Sequence, residues 1–147
     1  MNVVLAGGSG QVGRALARAY NLRGWSITTL GRSETLRGRV DREHYARWDG
    51  QTLGAWAEHL EGADLLVNLA GRNVNCRYTE ANLREMMDSR VQSTRAMGMA
   101  VAQCERPPRL WLQMSTATIY AHRFEEANDD ATGILGGEEP GVPGAWS

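Results

Sequence analysis

Lysine is absent: every one of the sixteen Lys+Arg positions is arginine. That absence excludes a Schiff-base lysine, the lysine of a P-loop and any Tyr-x-x-x-Lys pair within these residues. Cysteine is scarce. Cys76 and Cys104 are the two present, too few and too far apart for a disulfide framework, and they read as thiols of a reduced, cytoplasmic protein. His44, His59 and His122 are scattered without ligand-like spacing, so no metal site is expected. No apolar run approaches the length of a bilayer crossing, and no basic n-region or cleavage site of a secretory signal precedes the first apolar segment. An excess of one charge is missing too. Sixteen basic residues against seventeen acidic ones leave a formal net charge of -1, which gives no general pull toward nucleic acid or anionic membrane. What is there is 147 residues, 42% hydrophobic and 22% charged, enough for one soluble domain with a sizeable core.

Two periodicities alternate along the chain. Asn2 to Ala6 is a short apolar run, as expected of a strand buried on both faces in a parallel sheet. After Gly7-Gly8-Ser9-Gly10 the spacing predicts a helix from Gln11 to Leu22, with Val12, Leu16, Ala19 and Tyr20 sharing a face and Gly24 as its stop. Ser26 to Leu30 is a second strand, rich in β-branched residues. The arginine-heavy segment from Arg32 to Arg42 reads as loop, and a third strand is expected over Tyr45 to Trp48. Thr52 is expected to cap a helix running to about Leu60. Ala63 to Leu69 is a fourth, strongly apolar strand. From Thr79 to Cys104, Leu83, Met86, Met87, Val91, Thr94, Met97, Gly98 and Val101 recur at helical spacing, and Pro107-Pro108 mark the end. That methionine stripe reads as core packing rather than as a binding surface. Leu110 to Met114 is a fifth strand, and residues 121–147 read as loop. Strand and helix alternation predicts an α/β fold, a doubly wound parallel sheet of strand order 3-2-1-4-5 with its switch point between strands 1 and 4.

The chemistry concentrates at the first turn. Gly7, Gly10 and Gly13 form G-x-x-G-x-x-G, and Gly8 adds G-x-G-x-x-G with Gly10 and Gly13. Such glycines permit a sharp strand-to-helix turn, close approach of backbone to a pyrophosphate, and tight packing of helix on sheet. The phosphate then caps the free N–H groups of the helix that starts near Gln11. A glycine-rich turn without a ligand is the plain alternative; the flanking strand, helix and second strand favour the dinucleotide. The tip of the second strand selects which one. An NAD site usually carries Asp or Glu there, whereas this chain has Leu30-Gly31-Arg32-Ser33 and its nearest acid, Glu34, is already in the loop. Arginine at that place pairs with a 2′-phosphate and stacks on adenine, so NADP(H) is favoured over NAD(H), against the alternative of a solvated surface arginine. FAD and S-adenosylmethionine are disfavoured because both typically call for an acid there.

Five motifs occur in order: Ala6-Gly7-Gly8-Ser9-Gly10-Gln11-Val12-Gly13, Gly31-Arg32, Val67-Asn68-Leu69-Ala70-Gly71, Asp88-Ser89-Arg90-Val91-Gln92-Ser93-Thr94, and Ser115-Thr116-Ala117-Thr118-Ile119-Tyr120. Together they resemble the extended and atypical short-chain dehydrogenase/reductases, the nucleotide-sugar epimerase-like branch. The resemblance spans nearly all of the chain but only the N-terminal half of a typical family member. It implies a Rossmann-like NADP(H)-binding domain over residues 1–147 that lacks the C-terminal substrate lobe.

In that resemblance the turn holding Gly7, Gly10, Gln11, Val12 and Gly13 receives the pyrophosphate, and Gly31, Arg32 and Ser33 the adenosine 2′-phosphate. Leu69, Ala70 and Gly71 run along the adenine-ribose side. Glu85 and Arg90 on the long helix touch the dinucleotide, with a helix-surface ion pair as the plain alternative. Asp49 resembles the acid that meets adenine in extended relatives. Thr116 corresponds to the catalytic Ser/Thr that hydrogen-bonds the substrate oxygen, and Tyr120 to a structural aromatic. The implied activity is that of an NADP(H)-dependent oxidoreductase or epimerase-like enzyme acting on a small molecule. The catalytic Tyr-x-x-x-Lys is not among these residues, which keeps two other readings open: a non-catalytic dinucleotide-binding regulator, and a structural remnant. An apolar fifth-strand edge would also favour a homo-oligomer.

Overall fold

A computed structural model describes residues 1–33, 38–116, 119–121, 124 and 127–136. Glu34, Ala117, Thr118 and His122 lie outside the described residues. The chain divides into two compact units, Met1–Met114 and Ser115–Ser147.

The first unit is a five-stranded parallel sheet with helices on both faces. Its elements in chain order are β1 (Asn2–Ala6), α1 (Gln11–Leu22), β2 (Ser26–Gly31), β3 (Glu43–Arg47), a 3₁₀ helix (Ala55–Leu60), β4 (Leu65–Asn68), α2 (Glu80–Ala102) and β5 (Leu110–Gln113). The strand order is β3-β2-β1-β4-β5, as the alternation predicts. β1 is the central strand, pairing Val3 with Ile27 of β2 and with Leu65 of β4. Because successive side chains of a strand point to opposite faces, β1 feeds two cores. Val3 and Leu5 pack with Ile27, Val67 and Ala17 of α1, while Val4 and Ala6 pack with Leu60, Leu66, Ala96 and Met97.

The helices form for local reasons that the sequence carries. Thr79 caps α2, its hydroxyl accepting the Asn82 N–H at 3.3 Å, and α1 ends where Gly24 takes a positive φ of 73°, a conformation open to glycine. Met86 and Met97 are buried as core, while Met99 is 49% exposed. Among the described residues no helix is long and apolar enough to cross a membrane.

Four expectations need correction. Val12 does not join the buried face of α1: it is 50% exposed, and Gly13 and Ala17 are buried instead. Gly13 must face inward because it meets Gly8, and one residue is a rotation of about 100° on a helix, which turns Val12 outward. Thr52 caps no helix. Its N–H and hydroxyl are taken by Asp49 at 2.9 and 2.5 Å, and its carbonyl accepts the indole N–H groups of Trp48 and Trp56 at 3.2 and 2.9 Å. The next element is a six-residue 3₁₀ helix with Gly54 at its start. β3 begins two residues before the expected Tyr45, at Glu43, and ends at Arg47. β4 and β5 are shorter than predicted. β5 is an edge strand, and Leu110, Leu112 and Met114 are 53%, 45% and 51% exposed.

The second unit contains an antiparallel bridge between Tyr120 and Leu135. The Ala121 N–H donates to Ile134 O at 2.7 Å and the Gly136 N–H to Ile119 O at 2.8 Å. Asp129 accepts the N–H groups of Ala131 and Thr132. Part of the segment read as loop is thus a small paired turn.

Glu43 explains why β3 is hard to recognise. It is buried in a strand, where a carboxylate is unfavourable unless paired. The Arg14 guanidinium, the Thr29 hydroxyl at 2.6 Å and the Val40 N–H at 3.0 Å all donate to it. Burial pushes its pKa up, but the Arg14, Thr29 and Val40 hydrogen bonds outweigh burial and hold it below the ordinary glutamate value. The ionised carboxylate therefore stabilises the fold fully above the unfolded value of about 4.3 and loses that contribution as pH falls through the lower folded value. Glu43→Gln is expected to lower stability at pH 7 by roughly 1–3 kcal/mol. Denaturant unfolding should show the gap to the parent narrowing below about pH 4; a gap constant down to pH 3 contradicts the assignment.

Candidate functional site

β1 and β4 lie side by side at the middle of the sheet. The chain leaves β1 toward β2 on one side and β4 toward β5 on the other, so a crevice opens beyond their carboxyl ends, the usual ligand position in such sheets. Glycine builds its floor. Gly7 has a φ of 72°, and a Cβ there would lie 2.9 Å from Ala70 Cα. A Cβ on Gly13 would lie 2.4 Å from Gly8 Cα, so α1 can sit this close to the turn only without side chains. Gly10 differs: its nearest obstacle is Gly7 O at 3.5 Å. Gly10 is the N-cap of α1, makes no side-chain cap bond, and no acid follows in the first turn. Among the described residues, the first-turn N–H groups and the positive end of the helix dipole therefore have no side-chain cap of their own.

The cleft above this turn has a volume of about 850 Å³, within the ~300–1,000 Å³ common for small-molecule and cofactor sites. Gly7, Ser9 and Gly10 form one wall, Leu30, Gly31 and Arg32 the β2 end, and Trp48 to Gln51 the adjoining rim. Leu69 to Asn73, with Asn75 and Cys76, form the β4 end, and Glu85, Asp88, Ser89 and Gln92 of α2 close the far side.

Of the residues singled out from the sequence, Gly7, Gly10, Gly31, Arg32, Leu69, Ala70, Gly71, Glu85 and Asp49 line this cleft. Gln11 and Val12 are exposed in the first turn of α1, and Gly13 is buried behind them. Ser33 follows Arg32 and its carbonyl accepts the Tyr45 hydroxyl at 2.6 Å. Arg90 sits behind Gly71 rather than in the lining: its guanidinium donates to Met86 O at 2.8 Å and Arg72 O at 3.3 Å. Glu85 and Arg90 are not each other's partners. Glu85 pairs with Arg72, a residue that the motifs did not single out. Thr116 is exposed and belongs to the second unit.

Arg72 ties the loop after β4 to α2. Its guanidinium reaches Glu85 and, at 2.9 Å, Asn82 Oδ1, while its N–H donates to Ser89 Oγ at 2.9 Å. Hydrogen bonding from Arg72 holds the Glu85 carboxyl below its usual range, burial opposes this, and the charges of Arg72 and Arg32 lower it further. Arg32 lines the cleft with no hydrogen-bond or ion-pair partner among the described residues. The sequence offered one signal for the α2 contribution: Glu85, Asp88, Ser89 and Gln92 follow i, i+3, i+4, i+7 spacing, a polar stripe on one helix face. Arg72, Asn73, Asn75 and Cys76 come from an irregular loop, which has no periodicity to read.

A cradle of backbone N–H groups beside a cation, with side chains excluded by contact, is suited to a phosphate-rich ligand. Comparison with known proteins points the same way. The model of the "NAD dependent epimerase/dehydratase family" matches residues 3–137. The human epimerase family protein SDR39U1 is 29% identical over 137 residues, which are 90% of this chain and 43% of that protein. The epimerase family protein YfhF of Bacillus subtilis is 27% identical, over 90% of this chain and 44% of its own length. The chain therefore spans less than half the length of these relatives. Among solved structures, the human SDR39U1 crystal structure with NADPH superposes with a TM-score of 0.70 at 28% identity, covering 90% of this chain and 43% of that one. A UDP-glucuronic acid 4-epimerase from Bacillus cereus in complex with NAD gives a TM-score of 0.70 at 14% identity, covering 93% and 47%, a likeness of fold alone.

The glycine geometry separates two substitutions. Gly13→Ala is expected to destabilise the chain by about 1–3 kcal/mol, as overpacking does, because backbone stands in the way of the new methyl. Gly10→Ala should stay within roughly 1 kcal/mol of the parent, the intrinsic preference of a helix cap. Thermal unfolding of the two variants checks this, and equal losses contradict it.

Proposed function

The chain belongs to the NAD dependent epimerase/dehydratase family, and on that premise we propose that its cleft binds NADP(H) as part of an oxidoreductase or epimerase-like enzyme. The pyrophosphate rests on the turn from Gly7 to Gly10 and on the first-turn N–H groups of Gln11, Val12 and Gly13. The adenosine 2′-phosphate meets Arg32, flanked by Gly31 and Ser33. Leu69, Ala70 and Gly71 run along the adenine-ribose side, with Glu85 on the α2 wall and Arg90 holding the loop from behind. NADPH in the related human crystal structure supports the choice of dinucleotide.

The observation that carries this reading is Arg32. It stands at the tip of β2, lines the cleft, and has no hydrogen-bond or ion-pair partner among the described residues. An NAD site would have an acid at that position for the ribose hydroxyls, whereas a guanidinium answers the dianionic phosphate with two parallel hydrogen bonds. Of the three carboxylates that line the cleft, Glu85 pairs with Arg72 and Asp49 accepts the N–H groups of Gln51 and Thr52, while Asp88 stands on the α2 wall.

Bound in this cleft, the nicotinamide would supply hydride exchange with a carbonyl or hydroxyl carbon. The protein's part is to orient. The glycine turn fixes the diphosphate and Arg32 fixes the adenosine end. The substrate proposed is a small molecule.

Arg32→Ala tests the cofactor reading. Isothermal titration should show NADP(H) affinity falling by about 1–3 kcal/mol, the cost of losing a charged hydrogen-bond partner, with NAD(H) affinity unchanged within about twofold. Equal affinity of variant and parent for NADP(H) removes the phosphate contact.

A further inference from the structure

Arg32 and Ser33 leave the sheet at the end of β2, and the chain returns at β3. Both stems of this excursion are fastened by one face of β3. Glu43 and Tyr45 are two residues apart on that strand and so project from the same face; they pair in register with Ile27 and Thr29 of β2. Tyr45 holds the outgoing stem. Its hydroxyl donates to Ser33 O at 2.6 Å, and its ring closes on Gly31, where a Cβ would lie 3.0 Å from the hydroxyl oxygen and 3.3 Å from Ser9 Oγ. Glu43 holds the returning stem. It accepts the Val40 N–H at 3.0 Å and anchors Arg14, whose second guanidinium nitrogen donates to Gly38 O.

We propose that Tyr45 is a specificity-determining positioning residue: by holding the Ser33 carbonyl, it fixes the backbone that carries Arg32 at the cleft and so sets the preference for a 2′-phosphorylated dinucleotide. The inference rests on the NADP(H) reading of the cleft. Arg32 has no hydrogen bond or ion pair of its own among the described residues, so its backbone, and not its side chain, is what holds it in place. Among the described residues, the side-chain hydrogen bond to the adjoining backbone comes from Tyr45, one residue downstream. Glycine at position 31 removes the restraint that a Cβ would give the chain, and the Tyr45 hydroxyl and ring fill the space that a side chain would take. Tyr45 need not touch the dinucleotide to act. Loss of its hydroxyl frees the stem beyond Gly31, whose carbonyl still accepts the Trp48 N–H at 2.8 Å, so part of the entropy of ordering Arg32 is spent at binding rather than at folding. NAD(H), which lacks the phosphate, does not draw on that order.

The test is Tyr45→Phe, which keeps the ring against Gly31 and removes the one donor. Titration of the parent, Tyr45→Phe, Arg32→Ala and the double variant with NADPH and with NADH gives a complete cycle. The expected result is a Kd for NADPH raised roughly three- to tenfold in Tyr45→Phe, the worth of one hydrogen bond. The Kd for NADH should stay within about twofold, below that scale. In the Arg32→Ala background, Tyr45→Phe should change neither affinity. A merely structural role would weaken both cofactors alike and persist without Arg32, and either result overturns the proposal. Thermal unfolding of Tyr45→Phe without ligand accompanies the titrations. If its stability drops, the ratio of the NADPH and NADH affinities still decides, because a general loss of folded protein lowers both alike, and an unchanged ratio counts against the hydroxyl. A parent that binds NADPH no better than NADH overturns the reading of the cleft itself. A parent that prefers NADPH, beside a Tyr45→Phe variant with the same preference, overturns only the role of Tyr45.

Discussion

The backbone contact between Gly8 and Gly13 is the constraint on which the rest of the site depends. α1 starts so close behind the turn from β1 that no Cβ fits between them, and this closeness brings the helix N-terminus to the carboxyl edge of the sheet. Gly7 meets the chain leaving β4 in the same way, against Ala70. One turn of small residues thus joins the two halves of the sheet at the point where their connections diverge. A side chain at either place would push the helix or the β4 loop away and widen the crevice.

Around this rigid floor, three side-chain assemblies hold the walls. Arg14 and Glu43 fasten the β2 to β3 connection from below. Asp49 gathers the N–H groups of Gln51 and Thr52, and the Thr52 carbonyl in turn accepts Trp48 and Trp56. Arg72, Glu85, Asn82 and Ser89 lace the β4 loop to α2, with Arg90 behind Gly71. Each joins a loop to a regular element. The exposed pairs add little to stability by themselves; their effect is to reduce the conformations open to the loops, which is the form of preorganisation that a ligand site needs.

The parallel sheet, its strand order and the glycine turn are legible because each rests on a local rule: an apolar run, a period of 3.6, or a glycine where a Cβ cannot go. β3 reads short because its first residue is a buried glutamate, and hydropathy registers the carboxylate without the Arg14 that neutralises it. Apolar spacing turns Val12 inward, whereas the close approach of Gly13 to Gly8 decides the rotation of α1. Thr52 has the chemistry of a helix cap, but Asp49, three residues before it, claims both its N–H and its hydroxyl. Of the site, the β1 turn and Arg32 can be read, since strand-tip chemistry is local. The Arg72 network cannot, because it joins residues from an irregular loop to a helix whose polar stripe carries no sign of what it faces.

On the proposed reading, phosphate groups of a dinucleotide sit on the turn from Gly7 to Gly13 and beside Arg32. Phosphorus NMR of NADP+ titrated with the chain tests this at the atoms concerned. The diphosphate signals and the 2′-phosphate signal are expected to shift and broaden together, saturating at about one equivalent of protein. Diphosphate and 2′-phosphate signals that stay at their free positions in the presence of excess protein would contradict it.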